Sequence, residues 1–146
     1  MFKPRQHWLG VLARAARDEI LSHLRQAPDL PEFTRLRGPE AGMAMVRGRM
    51  GGGGAPFNLG EMTMARCSIQ DTAGRIGHGY AAGRDLAQVE LIARLDAVMQ
   101  DAALFTPYQR AVIEPLAAAQ AAQRAAVEAK AAATEVKFFT LATMRS

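Results

Sequence analysis

Apolar residues recur at helical spacing from the start of the chain, in Trp8, Leu9, Val11, Leu12, Ala15 and Ala16, and a second short run follows in Ile20, Leu21 and Leu24. The intervening Arg17 and Asp18 predict one helix bent or broken near Ala16, and Pro28 and Pro31 stop it. From Phe33 to Tyr80 the period shortens to β-like runs punctuated by glycine: Phe33 to Arg37, Gly42 to Met50, Glu61 to Gln70 and Arg75 to Ala81. Asp71-Thr72-Ala73-Gly74 is turn chemistry between the last two runs and predicts a hairpin. After Gly83 the period lengthens again. Asp85 with Gln88 three residues on predicts a capped helix carrying Leu86, Val89, Ile92, Ala93 and Val98 and running to about Ala103. Thr106-Pro107 opens another helix, Pro115 interrupts it, Leu116 to Ala133 resumes it, and Val136 to Thr143 reads as a final strand. The fold class expected is α+β: N-terminal helices, a small, mostly antiparallel sheet with a hairpin, two C-terminal helices and a closing strand.

Composition narrows this further. A chain of 146 residues with 49% hydrophobic and 22% charged residues suits one globular domain spanning 1–146, and neither repeats nor a second composition suggest another. Gly51 to Gly54 is the one low-complexity loop. It lacks the G-x-x-x-x-G-K-[ST] pattern of a phosphate-cradling loop and reads as a flexible connection. No run nears the roughly 20 apolar residues of a membrane span, and Lys3, Arg5, Arg14 and Arg17 break up the start, so neither a span nor a signal peptide is expected. The single Cys67 excludes an internal disulfide, and no Cys or His cluster has zinc spacing; a reducing cytoplasm is the expected compartment. The alanine-rich Ala117 to Ala133 buries little area per residue, so its helix needs a partner surface.

The formal net charge is +4, and of 18 basic residues only Lys3, Lys130 and Lys137 are lysines. Arginine's planar fork matches phosphate and carboxylate oxygens, which favours an anionic ligand or an acidic partner; solubility accounts for the bias equally well. A hairpin turning at Thr72-Ala73 pairs Cys67 with His78, Arg66 with Gly79, Ile69 with Ile76 and Ala65 with Tyr80. Cys67 beside His78 is a candidate activated thiol, but a face shared with Ile69, Ile76 and Tyr80 equally describes a packed structural pair. Arg47 and Arg49 share one strand face and with Arg66 form a candidate anion strip, to which Arg84 and the helix start at Asp85 add a second site. A solvated or partner-facing basic strip is the competing reading. His7 and His23 have no partner at metal spacing, and Met43, Met45, Met50, Met62 and Met64 suit a sheet surface packed on helices or on another protein.

Three classes of function remain open on residues alone. A stand-alone nucleic-acid-binding module would explain the basic charge, but acids such as Asp18, Glu19, Asp96 and Asp101 are interspersed and few aromatics could stack on bases. A thiol enzyme built on Cys67 and His78 lacks an orienting third residue. An obligate subunit of an assembly fits the marginal helix, the methionines and the missing complete active site.

Three segments, Arg5-Gln6-His7-Trp8 with Val11-Leu12-Ala13, Arg47-Gly48-Arg49-Met50-Gly51-Gly52, and Pro56-Phe57-Asn58-Leu59-Gly60-Glu61 running into Arg66-Cys67, resemble successive signatures of the PhnG family. Gly77-His78-Gly79-Tyr80, Gly83-Arg84-Asp85 and Phe138-Phe139-Thr140 extend the resemblance from residue 5 to about 141. It implies a subunit of the carbon-phosphorus lyase core complex, assembled with PhnH, PhnI and PhnJ and associated with PhnL. It further implies a part in forming alpha-D-ribose 1-methylphosphonate 5-triphosphate from ATP and methylphosphonate with release of adenine. The nucleosidase chemistry is associated with PhnI, and the resemblance transfers no catalytic residue onto this chain. ATP is then a substrate of the complex, and the chain alone is expected to bind no cofactor, metal, nucleic acid or membrane.

Overall fold

The computed structural model describes residues 4–49 and 56–144, and of residues 46–49, 56–59 and 134–144 the backbone only. Two short helices, α1 (Pro4–Ala13) and α2 (Arg17–Leu24), open the chain. They are separated where the pattern predicted a break, and the Glu19 carboxylate accepts from the Ala16 amide at the start of α2. Three antiparallel strands follow, β1 (Phe33–Arg49), β2 (Pro56–Asp71) and β3 (Ile76–Ala82), in the order β1-β2-β3. Then come α3 (Leu86–Met99), α4 (Ala102–Tyr108), a π-helical turn (Gln109–Ile113) and α5 (Glu114–Met144).

Helix α3 is the centre of the molecule. Val89, Ile92, Ala93, Leu95, Ala97, Val98 and Met99 are buried around most of its circumference, as expected for a helix packed on several sides. One side lies on Ala65, Cys67, Ile69 and Ala81 of the sheet; the rest of the core comes from Trp8, Val11, Leu12 and Ile20 of α1 and α2 together with Tyr108, Val112, Ile113 and Leu116. The approach of α3 to β3 is so close that a Cβ on Gly77 would run into the Ala93 carbonyl, and one on Gly79 into that of Val89. Two glycines on alternate residues of one strand face thus set the sheet-to-helix distance.

Several expectations are corrected. Phe33 to Arg37 and Gly42 to Met50 are not separate runs: β1 is one strand whose irregularities near Leu36 and at Gly38-Pro39 are absorbed as register shifts against an unbroken β2. Met50 and the Gly51 to Gly54 loop lie outside the described residues. Helix α3 ends at Met99 rather than near Ala103, because Asp101 caps a new helix by accepting from the Ala103 amide at 2.8 Å. Pro107 therefore sits inside α4 rather than opening it. Pro115 does not interrupt the last helix either. A π turn just before it, in which the Glu114 amide reaches the Gln109 carbonyl, takes up the misfit of a residue without N–H. The expected closing strand, Val136 to Thr143, is the helical continuation of α5. Once a helix is under way each further residue adds a hydrogen bond, which outweighs the weak β preference of Val136, Phe138 and Phe139.

Candidate functional site

Between Asp71 and Arg75 the hairpin turns through three residues, not two. Asp71 exchanges backbone hydrogen bonds with Arg75 and Gly74, its carboxylate accepts from the amides of Ala73 and Arg75, and Gly74 takes the left-handed conformation with φ 87°. The extra loop residue slips the pairing by one, so β2 and β3 meet as Arg66 with Tyr80, Cys67 with Gly79, Ser68 with His78 and Ile69 with Gly77. A one-residue slip exchanges the faces of one strand against the other. The predicted contact between Cys67 and His78 is therefore corrected: the two lie on opposite faces of the sheet.

Cys67 points at α3 and is buried; burial pushes its thiol up to about 11, the nearby Glu90 carboxylate adding to the effect and Arg35 opposing it. A thiol raised in this way is mostly protonated near neutral pH, and no imidazole lies across the strands from it. His78 faces away from α3. Its Nδ1 lies 2.8 Å from the Ser68 hydroxyl, a half-buried pair across the strands that can share a proton. Its backbone N–H donates at 2.8 Å to Asp96 on α3.

Asp96 carries much of the local architecture. Fully buried, it accepts from Arg5 Nε and Nη2 at 3.1 and 2.8 Å, from Trp8 Nε1 at 2.9 Å and from His78 N, which joins α1, β3 and α3 at one carboxylate. Hydrogen bonding to Asp96 raises the already high pKa of the Arg5 guanidinium. Four donors satisfy what would otherwise be an expensive buried charge.

On the sheet face opposite α3, Tyr80, Arg66 and Glu40 form one cross-strand row and His78, Ser68 and Arg37 the next. Glu40 Oε1 accepts from Arg66 at 2.7 Å and from Arg37 at 3.2 Å, and the Arg66 bond holds its carboxyl below the usual range. Beside this row lies a groove of about 380 Å³, walled by Tyr80, Arg66 and Glu40 over Gly42, Ala44 and Met64. Arg84 is exposed and lines a smaller cleft with Ala41, Gly42, Met43 and Thr63. Arg66 and Arg84 thus border the same stretch of β1.

Arg47 and Arg49 do not join them. They pair with Asn58 and Pro56, seven and nine positions along β1 from Glu40, or roughly 23 to 30 Å at the rise of a strand. The convergence of Arg47, Arg49 and Arg66 is therefore corrected on the backbone alone. Pairing with β3 stops at Met64, so β1 and β2 continue as a two-stranded ribbon over Met43–Arg49 and Pro56–Thr63. Met43, Met45 and Met62 are exposed on it at 60%, 54% and 42%, so of the two expected packings the one on this chain's own helices is corrected. Helix α5 is likewise exposed at every residue from Ala121 to Ala133. Sequence reasoning missed Asp96, Ser68 and Glu40. Ser68 becomes legible once a three-residue turn is counted, whereas a mid-helix Asp and a strand Glu carry no local signal. Among the described residues no cluster of His, Cys, Asp and Glu could hold a metal ion, and no helix is long and apolar enough to cross a membrane.

The family model described as Phosphonate metabolism protein PhnG matches residues 3–144. The chain is 41% identical over 141 residues to the alpha-D-ribose 1-methylphosphonate 5-triphosphate synthase subunit PhnG of Rhizobium meliloti (strain 1021), an alignment covering 94% of this chain and 87% of that protein.

Proposed function

Since the chain belongs to the PhnG family, we propose that it is the corresponding subunit of an alpha-D-ribose 1-methylphosphonate 5-triphosphate synthase. It acts in the cytoplasm as one domain, within a hetero-oligomer of PhnH, PhnI and PhnJ with PhnL associated. In the reaction of that assembly a methylphosphonate oxygen bonds to the anomeric carbon of the ribose of ATP. The bond from that carbon to adenine breaks, and adenine leaves with the proton. ATP is substrate of the assembly; this chain brings no cofactor of its own.

The observation that carries the reading is the distribution of surface. A methionine-bearing ribbon and an alanine-rich helix extend from a well-packed body, and a two-stranded ribbon is marginal in water without a further surface. These are properties of a subunit that completes its packing on others. Arg66 and Arg84, with Arg47 and Arg49 farther along the ribbon, are the residues assigned to anionic groups of substrate or partner. Cys67 serves packing, and His78 with Ser68 is the remaining pair able to move a proton.

The test is reconstitution with PhnH, PhnI and PhnL, ATP and methylphosphonate, reading the methylphosphonate-ribose triphosphate product by phosphorus NMR, because adenine alone is also freed by a nucleosidase acting on ATP. Omitting this chain should reduce the product to background, and adding it back should restore it. Product formed at an equal rate without it, or a chain that stays a dispersed monomer beside PhnI, refutes the proposal.

A further inference from the structure

Arg5, Arg17, Arg35, Arg37, Arg66 and Arg75 each meet a carboxylate. Arg94 on α3 does not, although it is less exposed than Arg17, Arg35 or Arg37. Its natural partner one turn back, Glu90, is taken by Arg35 at 2.6 Å. The Arg94 guanidinium stacks 4.6 Å from the centre of the Phe33 ring, and one Nη2 makes a long bond of 3.4 Å to the Pro31 carbonyl. Its Nε is buried with no hydrogen-bond partner, alone in this among the buried side-chain polar atoms of the described residues. A buried donor left unmade is costly, and guanidinium presents its N–H groups as a fork suited to a carboxylate.

The same arginine lines a cleft of about 310 Å³ between α2, the segment after it and α3, walled by Leu21, Leu24, Leu30 and Leu91. Leu21 is 45% exposed at its rim. We propose that this cleft is a docking site for a partner-subunit segment that places one Asp or Glu carboxylate on Arg94 and apolar side chains against the leucines. Charge complementarity selects that occupant. Arg94 is the cation of the lining and its single charge is matched by one carboxylate; Asp29 on the same lining repels any anion, so the acid sits on the Arg94 side of the cleft, and the leucines ask for apolar neighbours on either side of it. The proposal rests on the subunit reading above.

The experiment uses the full chain co-expressed with PhnH, PhnI and PhnJ. Arg94→Glu should weaken incorporation roughly 30-fold or more, the scale of reversing a desolvated interfacial charge, read by titration and native mass spectrometry. Leu21→Asp on the exposed rim is the second variant, which decides the matter if Arg94→Glu melts well below the parent. With Leu21→p-benzoylphenylalanine, photolysis should join the chain to a subunit peptide holding an acid between apolar residues, and changing that acid to Arg should rescue Arg94→Glu. Parent-like incorporation of Arg94→Glu and Leu21→Asp overturns the docking site alone. If the parent itself never enters the assembly, the subunit reading falls and this inference with it.

Discussion

Replacing Asp96 with Ala tests whether one carboxylate ties α1, β3 and α3 together. Its fully buried oxygens serve four donors, but the donors are not equivalent: the Arg5 side chain is 44% exposed and can return to water, so its ion pair counts for little once screened. Trp8 Nε1 lies in the core, and the His78 amide is half-buried beneath α3. Each stranded donor costs about 1 to 3 kcal/mol, so the loss should be roughly 3 to 4 kcal/mol, within the range for breaking a buried charged contact. For a chain of this size that is about 6 to 16 °C in melting temperature. Trp8 is the only tryptophan, so its emission reports the same site. The assay is thermal and urea unfolding by circular dichroism and tryptophan emission, with Trp8→Phe beside Asp96→Ala. Trp8→Phe should cost about 1 to 2 kcal/mol, and the double variant should cost less than the sum, because Asp96→Ala has already removed the bond that Trp8→Phe deletes. A melting temperature for Asp96→Ala within about 2 °C of the parent would refute the reasoning, as would strict additivity.

Gly77→Ala should destabilise by about 3 kcal/mol or more or abolish soluble expression, because the new methyl meets the Ala93 carbonyl and lies 2.7 Å from the Ala97 amide. Gly42→Ala, with no atom within 4 Å of the new methyl, should change urea stability by under about 0.5 kcal/mol; equal effects would contradict the close approach. Cys67 should react with a disulfide reagent at neutral pH only on unfolding. The unfolded thiol loses its proton near its ordinary 9.0 while the folded one holds it to about 11, so stability should fall across that interval relative to Cys67→Ala. Fast labelling of the native chain, or equal pH slopes for both proteins, counts against the buried thiol.

The helices of the body were legible because periodicity and caps are local: the break before α2 and the Asp85 cap, which accepts from the Gln88 amide at 3.0 Å, follow from neighbouring residues. Gln88 illustrates where locality ends. Three residues after the cap it looks like the second half of a capping box, yet its side chain donates to the Ala15 carbonyl at 2.6 Å, seventy-three residues away. The hairpin was legible as a hairpin, but its register depended on whether the loop held two residues or three. That choice exchanged Cys67 for Ser68 as the partner of His78. Glycines divide the β1 pattern into two runs in the sequence, and only pairing with β2 along its length carries the strand through them.

These placements also divide the segments through which the chain resembles its family into two kinds. Arg5 and Trp8 bind Asp96, Gly77 and Gly79 admit α3 to the sheet, and Asp85 caps that helix. Their side chains, or the lack of one, are accounted for by packing and satisfied polar groups within the chain, so they explain how the body is built and say nothing of chemistry. Arg47-Gly48-Arg49 and Pro56 to Glu61 lie instead on the ribbon beyond the end of β3, where no third strand among the described residues pairs with them. Two strands that must hold their shape away from the core gain little from burial, and the exposed Met43, Met45 and Met62 add nothing to their folding. A ribbon of that composition makes physical sense where a second surface supplies the missing burial. The ribbon and the Arg94 cleft therefore point the same way: both leave polar and apolar groups that the proposed assembly would satisfy.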